Sequence, residues 1–258
     1  MNFEHILVNR DGRLTTITIN RPASHNALNA KAYQEMEVAF DAFAADPEQW
    51  VAIVTGAGEK AFSAGHDLKQ QASGRAFVMP HTGFGGLTAR FDLTKPVIAA
   101  VNGLAMGGGF ELALACDLVI AVETASFALP APKVGLAALA GGMQRLPAQI
   151  GLKRAMGMLL TGRRVSAREG FDLGFVNQVV AGDLLGAARR WAQDILDCSP
   201  LAVRATKDAA LRSLAKPIAD TTKAQWDYPS IREMLKSNDA IEGPAAFTEK
   251  RRPVWTGR

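Results

Sequence analysis

The chain has 258 residues, of which 48% are hydrophobic and 21% charged, and its formal net charge is +4. These values allow a folded core of ordinary size and exclude wholesale disorder. The sequence also lacks the clustered lysine and arginine of a dedicated nucleic-acid-binding protein, so we do not expect nucleic acid as a partner. The two cysteines, Cys116 and Cys198, exclude a disulfide framework and a cysteine-based zinc site, so we expect no bound metal and a reducing, cytoplasmic compartment.

The N-terminus, residues 1–10, lacks the charged and then apolar pattern of a signal peptide. The most apolar stretch, residues 97–122, is interrupted by Asn102, Glu111 and Asp117. We therefore expect neither export nor a membrane span.

The first elements are a predicted hairpin and a predicted helix. Residues 6–8 and the alternating residues 14–19 flank an Asp11-Gly12 turn, which is typical of two paired strands. The pattern then changes to a helical period, and Asn29 is a suitable N-cap. The apolar residues with this helical spacing are Tyr33, Met36, Phe40 and Phe43.

Three short apolar runs, residues 51–54, 97–101 and 118–121, predict buried strands. Turns that contain glycine follow the first two runs, and the second turn leads into a predicted helix over residues 110–116. Repeated units of strand, glycine turn and helix indicate an α/β fold whose turns gather along one edge.

Beyond Arg164 the pattern is mostly helical. Ser166 and Glu169 have the spacing of a capping box, Gly174 suits the end of the same short helix, and a strand is predicted over residues 175–180. Short turns are predicted to join the remaining helices, without a linker that would separate domains. These helix boundaries are Ser199-Pro200, Lys216-Pro217, Tyr228-Pro229 and Gly243-Pro244.

Two turns rich in glycine, residues 62–68 and 102–111, are the candidate binding elements. Glycine lets backbone N–H groups face a ligand at close range, and a helix that begins after Gly108 adds its positive end. The spacing of the glycines fits neither the dinucleotide-binding nor the phosphate-binding loop motif. The nucleophile-elbow motif is also absent, so we interpret Ser63 as a turn residue.

The two turns in this order resemble the crotonase superfamily, the enoyl-CoA hydratase and isomerase family, and within it the carnitinyl-CoA dehydratases or short-chain enoyl-CoA hydratases. The resemblance covers nearly the whole chain, through residues 26–29, 62–68, 95–103, 107–111, 141–146, 160–162 and 242–252. It implies a spiral of ββα units with the acyl-CoA site in residues 1–195. It also implies that a C-terminal helical region, residues 196–258, packs subunits into trimers or pairs of trimers.

The resemblance further implies how the site works. The backbone N–H groups of His66 and Gly108 would form an oxyanion hole for the thioester oxygen, and Glu111 matches the first catalytic glutamate of the hydratases. The substrate is then an acyl-CoA thioester, with CoA as part of the substrate and no permanently bound cofactor. The positions that match the substrate and CoA site are Ala27, Ala64, Asp67, Leu68, Gly107, Pro130 and Ala131.

The sequence departs from the family pattern at Ala131, which occupies the position of the second catalytic glutamate. No aspartate or glutamate lies between Glu123 and Glu169 to replace it. The departure leaves several hypotheses open: a hydratase impaired at this position, or Glu111 acting alone in hydration, dehydration or double-bond isomerisation. A decarboxylase is a further alternative, since residues 62–67 and 108–111 look like methylmalonyl-CoA decarboxylase, although that enzyme's tyrosine has no counterpart around Ala138.

The favoured hypothesis is an oligomeric enzyme that adds water to an acyl-CoA thioester, or eliminates it, through an enolate bound in the backbone oxyanion hole. A subunit that binds acyl-CoA without turning it over is the competing hypothesis from another functional class. Both hypotheses predict CoA-thioester binding, and only the first requires Glu111 for turnover.

Overall fold

The computed structural model describes residues 3–67, 79–214 and 216–258. Within these residues the strands are β1 (Ile6–Asp11), β2 (Leu14–Ile19), β3 (Val51–Gly56), β4 (Ala61–Ser63), β5 (Val97–Val101), β6 (Leu104–Met106), β7 (Leu118–Val122), β8 (Ser126–Ala128), β9 (Val165–Ser166) and β10 (Gln178–Val180). They form a larger sheet in the order β1-β2-β3-β5-β7-β10 and a smaller sheet in the order β4-β6-β8-β9. Neighbouring strands are parallel except for the antiparallel pairs β1 with β2 and β8 with β9.

The helices that the structure describes are α1 (Ala30–Ala45), α2 (Gly108–Ala115), α3 (Gly142–Ile150), α4 (Leu152–Thr161), α5 (Ala167–Leu173), α6 (Leu184–Leu196), α7 (Pro200–Ser213), α8 (Ile218–Ala224), α9 (Pro229–Lys236) and α10 (Asn238–Thr248). The Asn29 side chain accepts a hydrogen bond from the Ala32 N–H at 2.9 Å, so the predicted N-cap of α1 is confirmed. The predicted apolar face of this helix is also confirmed, because all four of its residues are buried.

The chain alternates between the two sheets as it advances. Strands β3, β5 and β7 of the larger sheet are each followed by a short strand of the smaller sheet, β4, β6 and β8. Helix α2 follows the β5 and β6 pair and returns the chain to β7. This is the spiral of ββα units that the resemblance predicted, so the α/β fold class is confirmed.

The larger sheet separates two apolar cores. Along β3, Ala52 and Val54 face the core that contains α1, whereas Val51 and Ile53 face the core that contains α6. Because both faces are covered, the strand is apolar without the alternation of a half-exposed strand. This burial explains why the short apolar runs were recognisable as strands.

Two local predictions were only partly right. The predicted strand over residues 175–180 is shorter, because the N–H groups of Phe175 and Val176 donate to the Gly170 carbonyl at 3.1 and 3.2 Å and close the end of α5 instead. In the predicted capping box, the Ser166 side chain accepts from the Glu169 N–H at 3.1 Å, but the Glu169 carboxylate pairs with Arg163 at 2.7 Å. Only half of the capping box therefore forms.

The predicted turn at Gly243-Pro244 was wrong, because α10 continues through both residues. The C-terminal tail packs against this helix and holds it in place. A β-carbon on Gly243 would lie 3.3 Å from the Trp255 ring, and the Glu242 carboxylate accepts from Arg251 at 2.9 Å and from the Val254 N–H at 2.8 Å. These tertiary contacts outweigh the tendency of proline to interrupt a helix.

The predicted boundary after residue 195 falls at the end of α6, and α7 to α10 follow it. The division of the chain at this point remains a prediction. Among the residues that the structure describes, no helix is long and apolar enough to cross a membrane.

Asn26 connects the loop before α1 to the loop between β3 and β4. It is buried, its backbone φ is +56°, and its side chain accepts from the Arg21 N–H at 3.0 Å while donating to the carbonyls of Ala57 and Ala61. Its own carbonyl accepts from the Ser63 hydroxyl at 2.8 Å. Asparagine tolerates this left-handed conformation better than most residues.

We expect Asn26→Ala to lower the free energy of unfolding by about 1–3 kcal/mol, because it leaves buried backbone groups without hydrogen-bond partners. Asn9→Ala is the matched control, since Asn9 is exposed on the edge strand β1 and should change stability by less than about 0.5 kcal/mol. Urea denaturation of the two variants measures the difference. Equal midpoints for both variants would contradict this role of Asn26.

Candidate active site

The two glycine turns identified in the sequence pack directly against each other. Gly65 has a φ of +89°, and a β-carbon there would lie 2.9 Å from the Gly108 nitrogen and 2.7 Å from the Met106 carbonyl oxygen. A β-carbon on Gly109 would overlap the Ser63 carbonyl. Only glycine allows the two backbones to approach this closely.

This packing brings the two predicted oxyanion-hole residues, His66 and Gly108, to the wall of the same cavity. Gly108 is the first residue of α2, so its N–H has no acceptor within the helix. On the other turn, Leu28 donates to the Gly65 carbonyl and accepts from the Asp67 N–H. Because alternate residues of an extended segment point in opposite directions, the N–H of His66 points away from Leu28.

Ser63 has the structural role that the sequence analysis predicted. It is fully buried, its hydroxyl donates to the Asn26 carbonyl at 2.8 Å, and it accepts from the Gly65 N–H at 3.1 Å. These bonds hold the first glycine turn in its conformation.

A cavity of about 550 Å³ opens beside the two turns. Among the residues described, it brings together most of the predicted site: Ala64, His66, Gly107, Gly108, Glu111, Pro130 and Ala131. Ala27 and Asp67 do not line this cavity; both contact Arg21, whose guanidinium donates to the Ala27 carbonyl and pairs with the Asp67 carboxylate at 3.1 Å. Leu68 lies outside the described residues.

Glu111 is a buried carboxylate in this cavity, with only 4% of its surface exposed. One oxygen accepts from the Gly142 N–H at 2.9 Å. Burial raises the pKa of Glu111 above 4.5, and this effect is opposed by backbone hydrogen bonds from Gly142 and Ala140 and by the charge of Arg145. A carboxylate with a raised pKa is suited to both accepting and returning a proton near neutral pH.

Ala131 begins a short 3-10 turn, Ala131–Val134, in another loop that lines the cavity. The resemblance predicts a catalytic carboxylate at this position, where the chain has a methyl group. Among the described residues that line the cavity, Glu111 is the only aspartate or glutamate. In the same described parts of the chain, no group of three histidine, cysteine, aspartate or glutamate residues is arranged to hold a metal ion.

Several cavity residues were not recognised from the sequence as part of the site, and three of them lie against its main parts. Tyr33 was predicted only as a core residue of α1, yet it lines the cavity, and Phe84 packs against Gly108. Ala138 lies near the Glu111 side chain. A β-carbon built on Gly142 would be 3.1 Å from the Ala138 β-carbon and 3.0 Å from the Glu111 Cγ. A hydroxyl on an otherwise apolar helix face was the one signal that could have identified Tyr33.

A second cavity of about 340 Å³ adjoins the first, and the two share Ala137 and Ala138. The remaining residues that line it are all apolar: Leu129, Pro132, Met143, Pro147, Leu152, Met156, Leu159 and Leu160. Two small side chains therefore contribute to the walls of both the cavity that contains Glu111 and an apolar cavity beside it.

The chain is similar to known proteins over almost its whole length. The model of the family described as Enoyl-CoA hydratase/isomerase matches residues 9–258. Carnitinyl-CoA dehydratases from Salmonella paratyphi A and Salmonella typhi are 46% identical to this chain over 266 aligned residues, which cover 99% of each protein.

Solved structures are similar to the same extent. An enoyl-CoA hydratase from Mycobacterium tuberculosis H37Rv is 42% identical, with a TM-score of 0.93 over 98% of this chain and 99% of that chain. An enoyl-CoA hydratase from Bacillus anthracis is 35% identical, with a TM-score of 0.90 over 99% and 100% of the two chains. The resemblance that the glycine turns predicted is thus confirmed, and the chain belongs to the enoyl-CoA hydratase/isomerase family of enzymes, within the crotonase superfamily.

Proposed function

We propose that the protein adds water to an acyl-CoA thioester, or eliminates it, with the thioester oxygen bound by the backbone N–H groups of His66 and Gly108. The observation that carries this proposal is the single buried carboxylate of Glu111 in the cavity beside the two glycine turns. The predicted contacts with the rest of the acyl-CoA are Ala27, Ala64, Asp67, Leu68, Gly107, Pro130 and Ala131.

The oxyanion hole stabilises the charge that develops on the thioester oxygen. When water adds to the β-carbon of an enoyl thioester, the electrons of the double bond move towards the carbonyl and form an enolate. Two backbone N–H groups directed at this oxygen stabilise the enolate strongly, and the loss of one such donor costs about 10²–10³ in rate. The packing of the glycine turns supports this role for His66 and Gly108.

Glu111 moves the proton in this mechanism. Its ionised carboxylate accepts a proton from water as the water oxygen bonds to the β-carbon, and the resulting carboxylic acid then protonates the α-carbon of the enolate. Elimination is the same sequence in reverse. The proton is conserved throughout, so the cycle consumes no cofactor, and CoA takes part only as a portion of the substrate.

Ala131 makes this a mechanism with one carboxylate. In the two-glutamate pattern, both carboxylates hold the attacking water, whereas a methyl group at position 131 can neither orient the water nor accept its proton. We therefore propose a slow hydro-lyase in which Glu111 acts alone, with the acyl chain directed past Ala138 towards the apolar second cavity.

An exposed free thiol at Cys198 supports the cytoplasm as the working compartment.

We expect Ala131→Glu to raise the rate of hydration of a short trans-2-enoyl-CoA by about 10²- to 10⁴-fold, because it supplies the missing acid–base group. The loss of ultraviolet absorbance of the conjugated double bond measures the rate. Ala131→Gln is the matched control, since it has the same size without the acid and should remain near the parent rate.

The outcomes separate the alternatives. Parent turnover that Ala131→Glu leaves unchanged would mean that Glu111 alone provides the full rate and that the second carboxylate is dispensable. Inactivity of both proteins on enoyl and 3-hydroxyacyl thioesters would contradict the hydro-lyase proposal. Loss of CO₂ from a malonyl-type thioester would then favour the decarboxylase, and binding without any turnover would favour the binding subunit.

The pH dependence of hydration tests the role of Glu111 separately. Because the ionised carboxylate is the active form and burial raises its pKa above 4.5, activity should increase with pH through that raised value. Arg145→Gln removes a charge that lowers this pKa, so the acidic limb of the profile should move to higher pH, whereas Arg145→Lys should leave it in place. Glu111→Gln should abolish the limb and lower the rate by about 10²- to 10⁴-fold. A limb that does not respond to Arg145→Gln would contradict the assignment.

We also propose that the protein forms a homo-oligomer, a trimer or a pair of trimers, through its C-terminal helical region. Several large apolar side chains of this region are strongly exposed in the single chain: Leu214 (74%), Ile218 (80%), Trp226 (64%), Ile241 (73%) and Phe247 (87%). So many exposed apolar groups in one region are typical of an interface between subunits.

Light scattering should give a mass three or six times the 27.5 kDa of one chain. Phe247→Glu should lower this mass, because a buried charge would be left without a partner at the interface. Leu7→Glu is the control, since Leu7 is 54% exposed on strand β1, outside the C-terminal helical region, and the substitution should leave the mass unchanged. A monomeric parent protein would contradict the proposal.

A further inference from the structure

Tyr33 belongs to the site but has no role in the mechanism above. Its side chain projects from α1, is almost completely buried, and reaches the cavity that contains Glu111. A purely apolar residue would fill the same space on this helix face. The hydroxyl therefore calls for a specific explanation.

The first contact of Tyr33 is with one side of the oxyanion hole. Its hydroxyl and the Nδ1 atom of His66 are 3.0 Å apart, within hydrogen-bond distance. Burial lowers the pKa of the His66 ring, although Asp67 opposes this effect, and burial followed by the charge of Glu111 raises the pKa of the Tyr33 phenol. Both groups are thus neutral near pH 7, and the ring tautomer sets which of them donates.

The second contact of Tyr33 is with the other side of the oxyanion hole. Its ring packs edge-on against the Phe84 ring, with centroids 5.0 Å apart and an interplanar angle of 88°. Phe84 in turn lies directly against Gly108, where any β-carbon would overlap its ring. One side chain therefore supports the residues that carry both proposed N–H donors.

We propose that Tyr33 is a positioning residue, which holds the backbone N–H groups of His66 and Gly108 in register for the thioester oxygen. Its hydroxyl fixes the His66 ring and so the backbone of the first turn. Its ring fixes Phe84 and so the start of α2. This inference rests on the proposed oxyanion hole and names a residue outside the two glycine turns that determines its geometry.

The test uses a conjugated 3-arylacryloyl-CoA as a probe, whose absorption moves to longer wavelength when strong hydrogen bonds polarise its carbonyl. This shift measures the oxyanion hole without requiring turnover. Tyr33→Phe retains the ring and removes the hydroxyl, so we expect the probe to bind while its shift falls to about half or less. We expect the kcat for hydration to fall by about tenfold to a hundredfold, which is no more than the complete loss of one N–H donor would cause, while KM stays nearly unchanged.

Tyr228→Phe is the matched control, because Tyr228 lies against Arg212 in the C-terminal helical region and does not line the cavity. It should retain the full shift and the parent rate. His66→Ala keeps the backbone N–H but removes the ring that Tyr33 holds, and it should reduce the shift by itself. Adding Tyr33→Phe to His66→Ala should then have little further effect, because residues that act through one contact are not additive.

The results are distinguishable. A normal shift in the parent protein that Tyr33→Phe leaves unchanged would overturn the positioning role and leave the oxyanion hole intact. No shift in the parent protein with the probe bound would contradict the oxyanion hole itself, and the role of Tyr33 with it. If Tyr33→Phe does not fold, an unchanged shift in folded His66→Ala would overturn the proposal.

Discussion

The site depends on one steric constraint, the contact between two backbone turns that leaves no room for β-carbons. Gly65, at positive φ, meets the amide of Gly108, and Gly109 meets the carbonyl of Ser63. The spiral fold makes this contact possible, because β4 and β6 are neighbouring parallel strands whose ends bring the two turns to the same edge of the smaller sheet. The geometry of the predicted oxyanion hole therefore depends on two things: β4 and β6 are neighbours in the sheet, and the residues at the contact are glycines without side chains.

The electrostatics of the cavity follow from the same arrangement. Helix α2 begins at the contact and carries Glu111 on its first turn, so the carboxylate is buried in the cavity that the two turns also line. Burial alone would strongly favour the protonated acid, but the N–H groups of Gly142 and Ala140 and the charge of Arg145 favour the ionised form. The side chain can therefore be either protonated or ionised, and the proposed transfer of a proton to and from Glu111 requires both forms.

The sequence predicted those parts of the fold that depend on local patterns. The hairpin, the cap at Asn29 and the buried strands were recognisable because capping and burial on both faces leave direct traces in the residue types. The turn predicted at Gly243-Pro244 was wrong because contacts with Trp255, 11 or more residues further along the chain, decide the local conformation. Tyr33 was recognised as a core residue but not as a site residue, since its partners His66 and Phe84 come from distant segments.

The proposed oxyanion hole and position 131 belong to separate elements of this fold. The proposed oxyanion hole consists of backbone groups, which no ordinary side-chain substitution removes, whereas Ala131 lies on a short 3-10 turn that contributes to the cavity from another loop. A change at position 131 can therefore alter the chemistry without disturbing the glycine turns or the burial of Glu111. This separation is consistent with a site in which the predicted second carboxylate is absent while the glycine turns and Glu111 still line one cavity.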